Sequence, residues 1–188
     1  MLRKYLKEFD KFLIIAGLKD VKIDDAEALF TQIRRAPRIQ IQIFDANCVA
    51  SQQHLYFATL NALKAFQYKL NISSSLAVEA LLYASGQRQI QKSVDMLGVK
   101  PKTHNATVLI ITDNEDDAIE TLNRVSKTLD GKFDDSVMEV TAEKYAYLKR
   151  LFGISDREIE AKTERKNTEK EALIYLIIER GALLPVTK

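Results

Sequence analysis

From Ser51 to Leu97 the chain contains no proline and a single glycine, Gly86, so little in this long stretch interrupts a helix except that one residue. Any sheet in the protein must therefore be bridged by a connection that holds more than one helix. Ser51 is placed to cap a helix running to about Tyr68, with Leu55, Thr59, Ala62 and Phe66 on one side and Tyr56, Leu60 and Leu63 beside them. Ser73 to Ser75 cap a second helix, rich in Leu and Ala, through Tyr83. Ser85-Gly86 breaks it, and Gln87 to Leu97 restarts as a third that ends at Gly98.

Strands flank this helical block. Lys11-Phe-Leu-Ile-Ile-Ala-Gly17 is short and almost wholly apolar, which suits a buried strand better than a helix. Arg38-Ile-Gln-Ile-Gln-Ile-Phe44 alternates, placing Ile39, Ile41 and Ile43 on one face of a half-buried strand and Gln40 and Gln42 on the other. Thr107 to Thr112 reads as a third strand, and a shorter one is expected near Asp135 to Val140. Further helices are expected over Asp24 to Arg34, Asn114 to Leu129, Thr141 to Phe152 and from Asn167 or Thr168 through Arg180, with the charged Ala161 to Lys170 stretch as a connector. Strands interspersed with multi-helix connections indicate an α+β protein: a small mixed, largely antiparallel sheet covered by several helices, in one domain over residues 1–188.

Composition narrows the function classes. The 188 residues, 46% hydrophobic and 29% charged with six Gly and three Pro, exclude a disordered tail, a collagen-like fibre and a disulfide scaffold. The longest apolar run, Leu173 to Ile178, is far short of a membrane span, and the N-terminus lacks a signal-like apolar core, so the expected location is cytoplasmic, or also nuclear in a nucleated cell. With one cysteine, Cys48, and two distant histidines, no thiolate or imidazole cluster is set to hold a metal. Charge is unevenly distributed: residues 61–104 carry six cations and two acids, whereas 105–144 carry four cations and ten acids. A basic zone of this kind attracts a polyanion or simply solvates one face.

Catalytic signatures are missing. There is no phosphate-cradling Gly-rich loop followed by Lys-Ser or Lys-Thr, no dinucleotide fingerprint, no His-Glu-x-x-His and no Gly-x-Ser-x-Gly. Asp45, Cys48 and His54 are close in sequence, but such a fragment is more often core than nucleophile. Glu115, Asp116 and Asp117 suit the first turn of a helix better than a hard cation. The expectation is a protein that is not an enzyme and needs no cofactor, against the rival of an enzyme with an unrecognised pocket.

Two segments are better suited to binding. In the first, a helix ends at Ser85-Gly86 and a new one starts with Gln87, Arg88 and Gln89; free N–H groups beside an arginine make a seat for a phosphate or a ribose edge, with Lys92 one turn on. The plainer alternative is a glycine-marked joint with polar residues. No aromatic side chain stands out here as a stacking platform. In the second, the apolar residues Leu173 to Ile178 encircle the last helix, so one face meets the core while another needs a second cover, with Leu151, Phe152 and Ile154 extending the same surface.

Phe44-Asp-Ala46, Asn61-Ala-Leu-Lys-Ala-Phe66 and above all Asn71-Ile-Ser-x-Ser-Leu with Glu79-x-Leu-Leu-Tyr-Ala-Ser-Gly-Gln-Arg-Gln-Ile90 resemble the kinase-binding small subunits of the KEOPS (EKC) complex, the PRPK-binding protein (TPRKB) family, in its archaeal style. The resemblance runs in order from about Ile14 to Lys149 and is weaker from Asp156 to Lys170 and at the C-terminal end. It implies a mixed α/β, non-catalytic subunit of the machine that makes threonylcarbamoyladenosine beside the anticodon of tRNAs reading codons that begin with A. Such subunits bind the N-lobe of an atypical kinase/ATPase, support its activity and hold the single-stranded 3′ CCA end of tRNA, while threonylcarbamoyl transfer belongs to another, metal-containing subunit. On that resemblance Asn71, Ser73, Gly86, Gln87, Arg88 and Gln89 are expected to face tRNA, with Lys64 and Lys92 as electrostatic support. Leu151, Ile154, Ile174, Ile177 and Ile178 are expected to meet the kinase. No membrane and no small-molecule substrate is implied; the alternative is a structural kinase-binding adaptor that never touches RNA.

Overall fold

A computed structural model describes residues 1–25, 38–163 and 168–186. The strands are β1 (Leu2–Leu6), β2 (Lys11–Lys19), β3 (Gln40–Asp45), β4 (Asn105–Thr112) and β5 (Lys132–Phe133). The helices are α1 (Gln52–Gln67), α2 (Leu76–Ser85), α3 (Ile90–Leu97), α4 (Glu115–Thr128), α5 (Ala142–Leu151), α6 (Asp156–Thr163) and α7 (Glu169–Ala182). The strands form a sheet in the order β1-β2-β4-β3, with β5 beside the far end of β2, and every pairing among the described residues is antiparallel. The fold is α+β. The helix expected over Asp24 to Arg34 falls almost wholly outside the described residues.

The two central strands explain why their sequences are continuously apolar. Successive side chains point to opposite faces, and both faces are covered. Leu13 and Ile15 of β2 and Leu109 and Ile111 of β4 pack into a cluster with α1, α2 and α7. Their alternates, Ile14, Ala16, Leu18, Ala106, Val108 and Ile110, pack against Ala118, Leu122 and Val125 of α4 on the opposite face. β3 obeys the same alternation: Ile41 and Ile43 face α4, and Phe44 faces the helical side. Its polar face is not solvated as the pattern implies, because α2 lies over it. Gln42 is 5% exposed, and the Gln40 side-chain oxygen accepts the Ala77 N–H at 3.4 Å.

Caps set most helix starts. Ser51, Ser75 and Thr141 each accept a backbone N–H two or three residues into α1, α2 and α5, and Asn114 accepts those of Asp116 and Asp117 at the acidic start of α4. Three features depart from the sequence reading. The strand expected near Asp135 to Val140 is a 3₁₀ turn over Asp135–Met138: Asp134 caps it, and the Asp135 carboxylate accepts the Gly17 N–H at 2.9 Å, holding the segment against β2. The short strand sits just before it, at Lys132–Phe133. β1 and α6 are additional elements, the latter lying mostly before the Ala161 to Lys170 stretch read as a connector and running into its start. Among the described residues no helix is long and apolar enough to cross a membrane.

Candidate functional site

α2 terminates at Ser85 because Gly86 turns left-handed (φ +64°), a conformation that costs glycine little, and sends its N–H back to the Leu82 carbonyl. The Gln87 N–H also returns, 3.2 Å from both the Leu82 carbonyl and Ser85 Oγ. Ser93 of α3 is fully buried; its Oγ lies 2.8 Å from Ser85 Oγ and donates to the Gln89 carbonyl at 3.2 Å. These bonds fix the turn and join α2 to α3. α3 begins at Ile90 rather than Gln87, with Gln89 as an extended N-cap lacking a side-chain cap bond. Gln87, half-buried, and Arg88 and Gln89, both exposed, form a connector, with Lys92 exposed on α3 just beyond.

Arg88 has a contact that its sequence neighbourhood does not signal. Its Nη1 donates at 3.2 Å to the carbonyl of Leu184, just past α7. The turn is also tied down from below. His54 is fully buried on α1, and its Nε2 donates at 2.8 Å to the Ala84 carbonyl while Nδ1 accepts the Ala50 N–H at 3.3 Å. Burial holds this imidazole down at about 4, so it is neutral near pH 7. Cys48 stands apart from it, with Sγ 3.6 Å from Tyr147 Oη and its thiol pushed up by burial to about 11. With both His54 nitrogens engaged elsewhere, these residues do not form a Cys-His nucleophile pair.

The remaining tRNA candidates gather at the other end of α2, about 15 Å away for a ten-residue helix. Asn71 donates to the Ser73 carbonyl at 2.9 Å, and Ser73, buried, accepts the Ser75 N–H at 3.1 Å. Both side chains thus shape the loop. Beneath them Glu79, fully buried, accepts the N–H groups of Ile72 at 3.0 Å and Ser73 at 2.7 Å through Oε2. Lys64 is exposed in the last turn of α1, which leads into this loop. Tyr68, one turn after Lys64, is 67% exposed and offers the aromatic surface that sequence reading missed. Its signal was present: an aromatic one turn beyond a lysine, just where the helical pattern ends.

α7 starts at a reciprocal cap between Thr168 and Glu171. Leu173 and Ile177 are fully buried, and Gly181 passes so close to α2 that a Cβ there would lie 2.3 Å from the Tyr83 carbonyl. Of the five residues expected to face a partner, Ile154 and Ile177 lie inside the core, because the covered side of α7 and the chain after Gly153 pack inward. Leu151, Ile174 and Ile178 are half-buried, and Tyr175 is 40% exposed beside them. Arg180 clamps this region to the α5–α6 connection, donating to the Gly153 carbonyl at 3.0 Å and to Glu158 Oε1 at 2.9 Å.

Comparison with known proteins meets this geometry from a separate direction. The family described as "Kinase binding protein CGI-121" matches residues 19–183, which include the whole α2–α3 turn and α7. The "Regulatory protein Cgi121" of Methanocaldococcus jannaschii is 31% identical over 142 residues, covering 76% of this chain and 85% of that protein. The chain belongs to the CGI-121 family of kinase-binding proteins.

Proposed function

We propose that this protein is a non-catalytic regulatory subunit of the KEOPS complex, acting in tRNA threonylcarbamoyladenosine modification. It docks the atypical kinase/ATPase along the outer side of α7 and recruits tRNA by its single-stranded 3′ CCA end. The observation that carries the RNA half is the Gly86–Gln89 turn, where Arg88 and Gln89 project outward from a backbone anchored by the buried Ser85, Ser93 and His54. Rigid footing under exposed hydrogen-bonding side chains suits a flexible single strand, because little of the protein must be ordered on binding. The acidic α4 lies on the opposite face of the sheet from α1 and α2, so the basic segment is not neutralised by it. At the far end of α2, Lys64 attracts phosphate and Tyr68 offers a face on which a base stacks. For the kinase, Ile174, Ile178 and Leu151 with Tyr175 supply the half-covered apolar surface typical of an interface. The proposed location is cytoplasmic.

A second reading has a specific observation in its favour. The Arg88 bond to Leu184 gives the arginine a structural task, as expected for an adaptor that binds the kinase and not RNA. Binding of the purified chain to one tRNA with and without its terminal CCA, at two salt concentrations, separates the two. Loss of binding on removal of CCA supports the recruiting subunit; equal or absent binding to both leaves the adaptor.

A further inference from the structure

Glu79 is the one acid among the buried residues of α2, whose others are Leu, Ala, Tyr and Ser. A fully buried carboxyl is a costly way to fill such a position, and its Oε1 has no hydrogen-bond partner among the described residues. Its bonds run through Oε2, which accepts the N–H groups of Ile72 at 3.0 Å and Ser73 at 2.7 Å. In a planar trans peptide the N–H and the C=O point opposite ways. Two successive N–H groups turned inward onto one oxygen therefore turn the carbonyls of Asn71 and Ile72 away from the core. The next carbonyl along, that of Ser73, accepts Asn71 Nδ2 at 2.9 Å, whereas those of Asn71 and Ile72 accept no hydrogen bond among the described residues. Ile72 is exposed, as is Leu70 before it, with Asn71 half-buried between them.

We infer that the outward carbonyls of Asn71 and Ile72 read the exocyclic amino groups of cytosine or adenine in a single-stranded RNA end, with Glu79 as the positioning residue that aims them. The inference rests on the reading that this protein holds the 3′ CCA end of tRNA. It adds the feature by which those bases are selected, since cytosine and adenine both carry an amino group on their pairing edge. Carbonyl oxygens accept and cannot donate, so they fit a base edge that offers N–H and not a phosphate. The surrounding charge selects a neutral donor. From Leu55 to Val78 the sequence carries Lys64 and Lys69 and no acid, which disfavours an ammonium or guanidinium ligand and leaves an uncharged amino group unaffected. The exposed side chains of Tyr68, Leu70 and Ile72 offer apolar cover to the flat faces of the same bases. Glu79 touches no ligand atom and acts through the two peptide groups. A loop held in this way before binding need not be ordered by it.

The test is binding of the full chain to a synthetic RNA hairpin with a single-stranded 3′ CCA end, compared with hairpins whose cytosines or adenine are replaced by analogues lacking only the amino group. The native chain is expected to bind at least one amino-deleted end about tenfold more weakly than CCA. Glu79→Gln, whose side-chain oxygen still accepts both N–H groups, keeps that ratio. In Glu79→Leu the ratio falls to near unity, and hydrogen exchange at the Ile72 and Ser73 amides speeds up. A merely structural role would weaken every end alike and leave the ratio untouched. Equal binding of CCA and both amino-deleted ends by the native chain overturns the inference, while the CCA reading stands if a hairpin without CCA binds worse. Failure to distinguish that last hairpin overturns both. A ratio that survives in folded Glu79→Leu overturns the role of Glu79. Should that variant fail to fold, the native ratio decides for the carbonyls, and slow or fast exchange of the Ile72 and Ser73 amides in the native chain decides for or against Glu79.

Discussion

α7 and the Ser85–Gln89 turn are both candidate binding elements, and they are built in opposite ways. α7 places much of its side-chain chemistry inside the protein: Leu173 and Ile177 have no exposed surface, and what remains for a partner is a strip of half-buried Ile174 and Ile178 beside Tyr175. The turn places its backbone inside, held by Ser85, Ser93 and His54, and leaves the side chains of Arg88 and Gln89 outside. Substitutions on the inner side of α7 should therefore register first as lost stability. Those in the turn should register first as lost binding.

The largest expected effect tests the α7 half of this contrast. Ile177→Glu puts an unpaired carboxylate into the core, costing about 4 kcal/mol or more, a large share of the stability of an ordinary domain. Urea denaturation should show an unfolded or severely weakened chain. Ile178→Glu, at a half-buried position on the same helix, is expected to cost about 1 kcal/mol and yet to abolish co-purification with the kinase. A stable Ile177→Glu chain that has lost only the kinase would reverse the assignment of the two faces.

A second effect reaches the turn through its footing. The folded state holds His54 near 4, against an ordinary value of 6.5, so between those values the unfolded chain binds more protons than the folded one. Stability from this group is complete above about pH 6.5 and is lost as pH falls toward 4, by about 3 kcal/mol in all. Urea denaturation at pH 7 and pH 4.5 should show a smaller acid-induced loss for His54→Gln than for the native chain. Equal losses would mean that another group controls the acid response.

These particulars also show what the sequence could reveal. β2 and β4 were legible because strands covered on both faces must be apolar at every position, and a run such as Leu13 to Ala16 has no other economical explanation. Capped helices were legible for a local reason, the Ser, Thr or Asn before each. β1 was not, because Arg3, Lys4 and Tyr5 face solvent on an edge strand and leave no apolar alternation. α6 buries only Ile159. In the site, Gly86 marked the turn, but the start of α3 at Ile90 was not legible, because its N-cap Gln89 makes no side-chain cap bond that a Ser, Thr, Asn or Asp would announce. An all-apolar helix has no legible face, so which isoleucines of α7 turn inward was decided by Gly181 and the close crossing at Tyr83. The buried Glu79 reads in sequence as one more charged helical residue.

The smallest stability effect belongs to Arg88→Ala, and it sharpens the contrast most. The residue is exposed and its bond to the Leu184 carbonyl can be replaced by water, so unfolding should change by about 0.5 kcal/mol or less. If the turn holds the CCA end, the same variant weakens tRNA binding by about 1–3 kcal/mol, and Arg88→Lys recovers only part of that loss because an ammonium keeps the charge but lacks the planar two-point fork. If instead the arginine serves to fasten the segment after α7, Arg88→Ala leaves tRNA binding unchanged and weakens the kinase complex, since the strand of chain around Leu184 adjoins the helix that carries Ile178. Parallel titrations of Arg88→Ala with tRNA and with the kinase thus assign the side chain to one surface or the other. A loss in both would join them, making the Arg88–Leu184 bond the physical link between the outward-facing turn and the inward-facing helix.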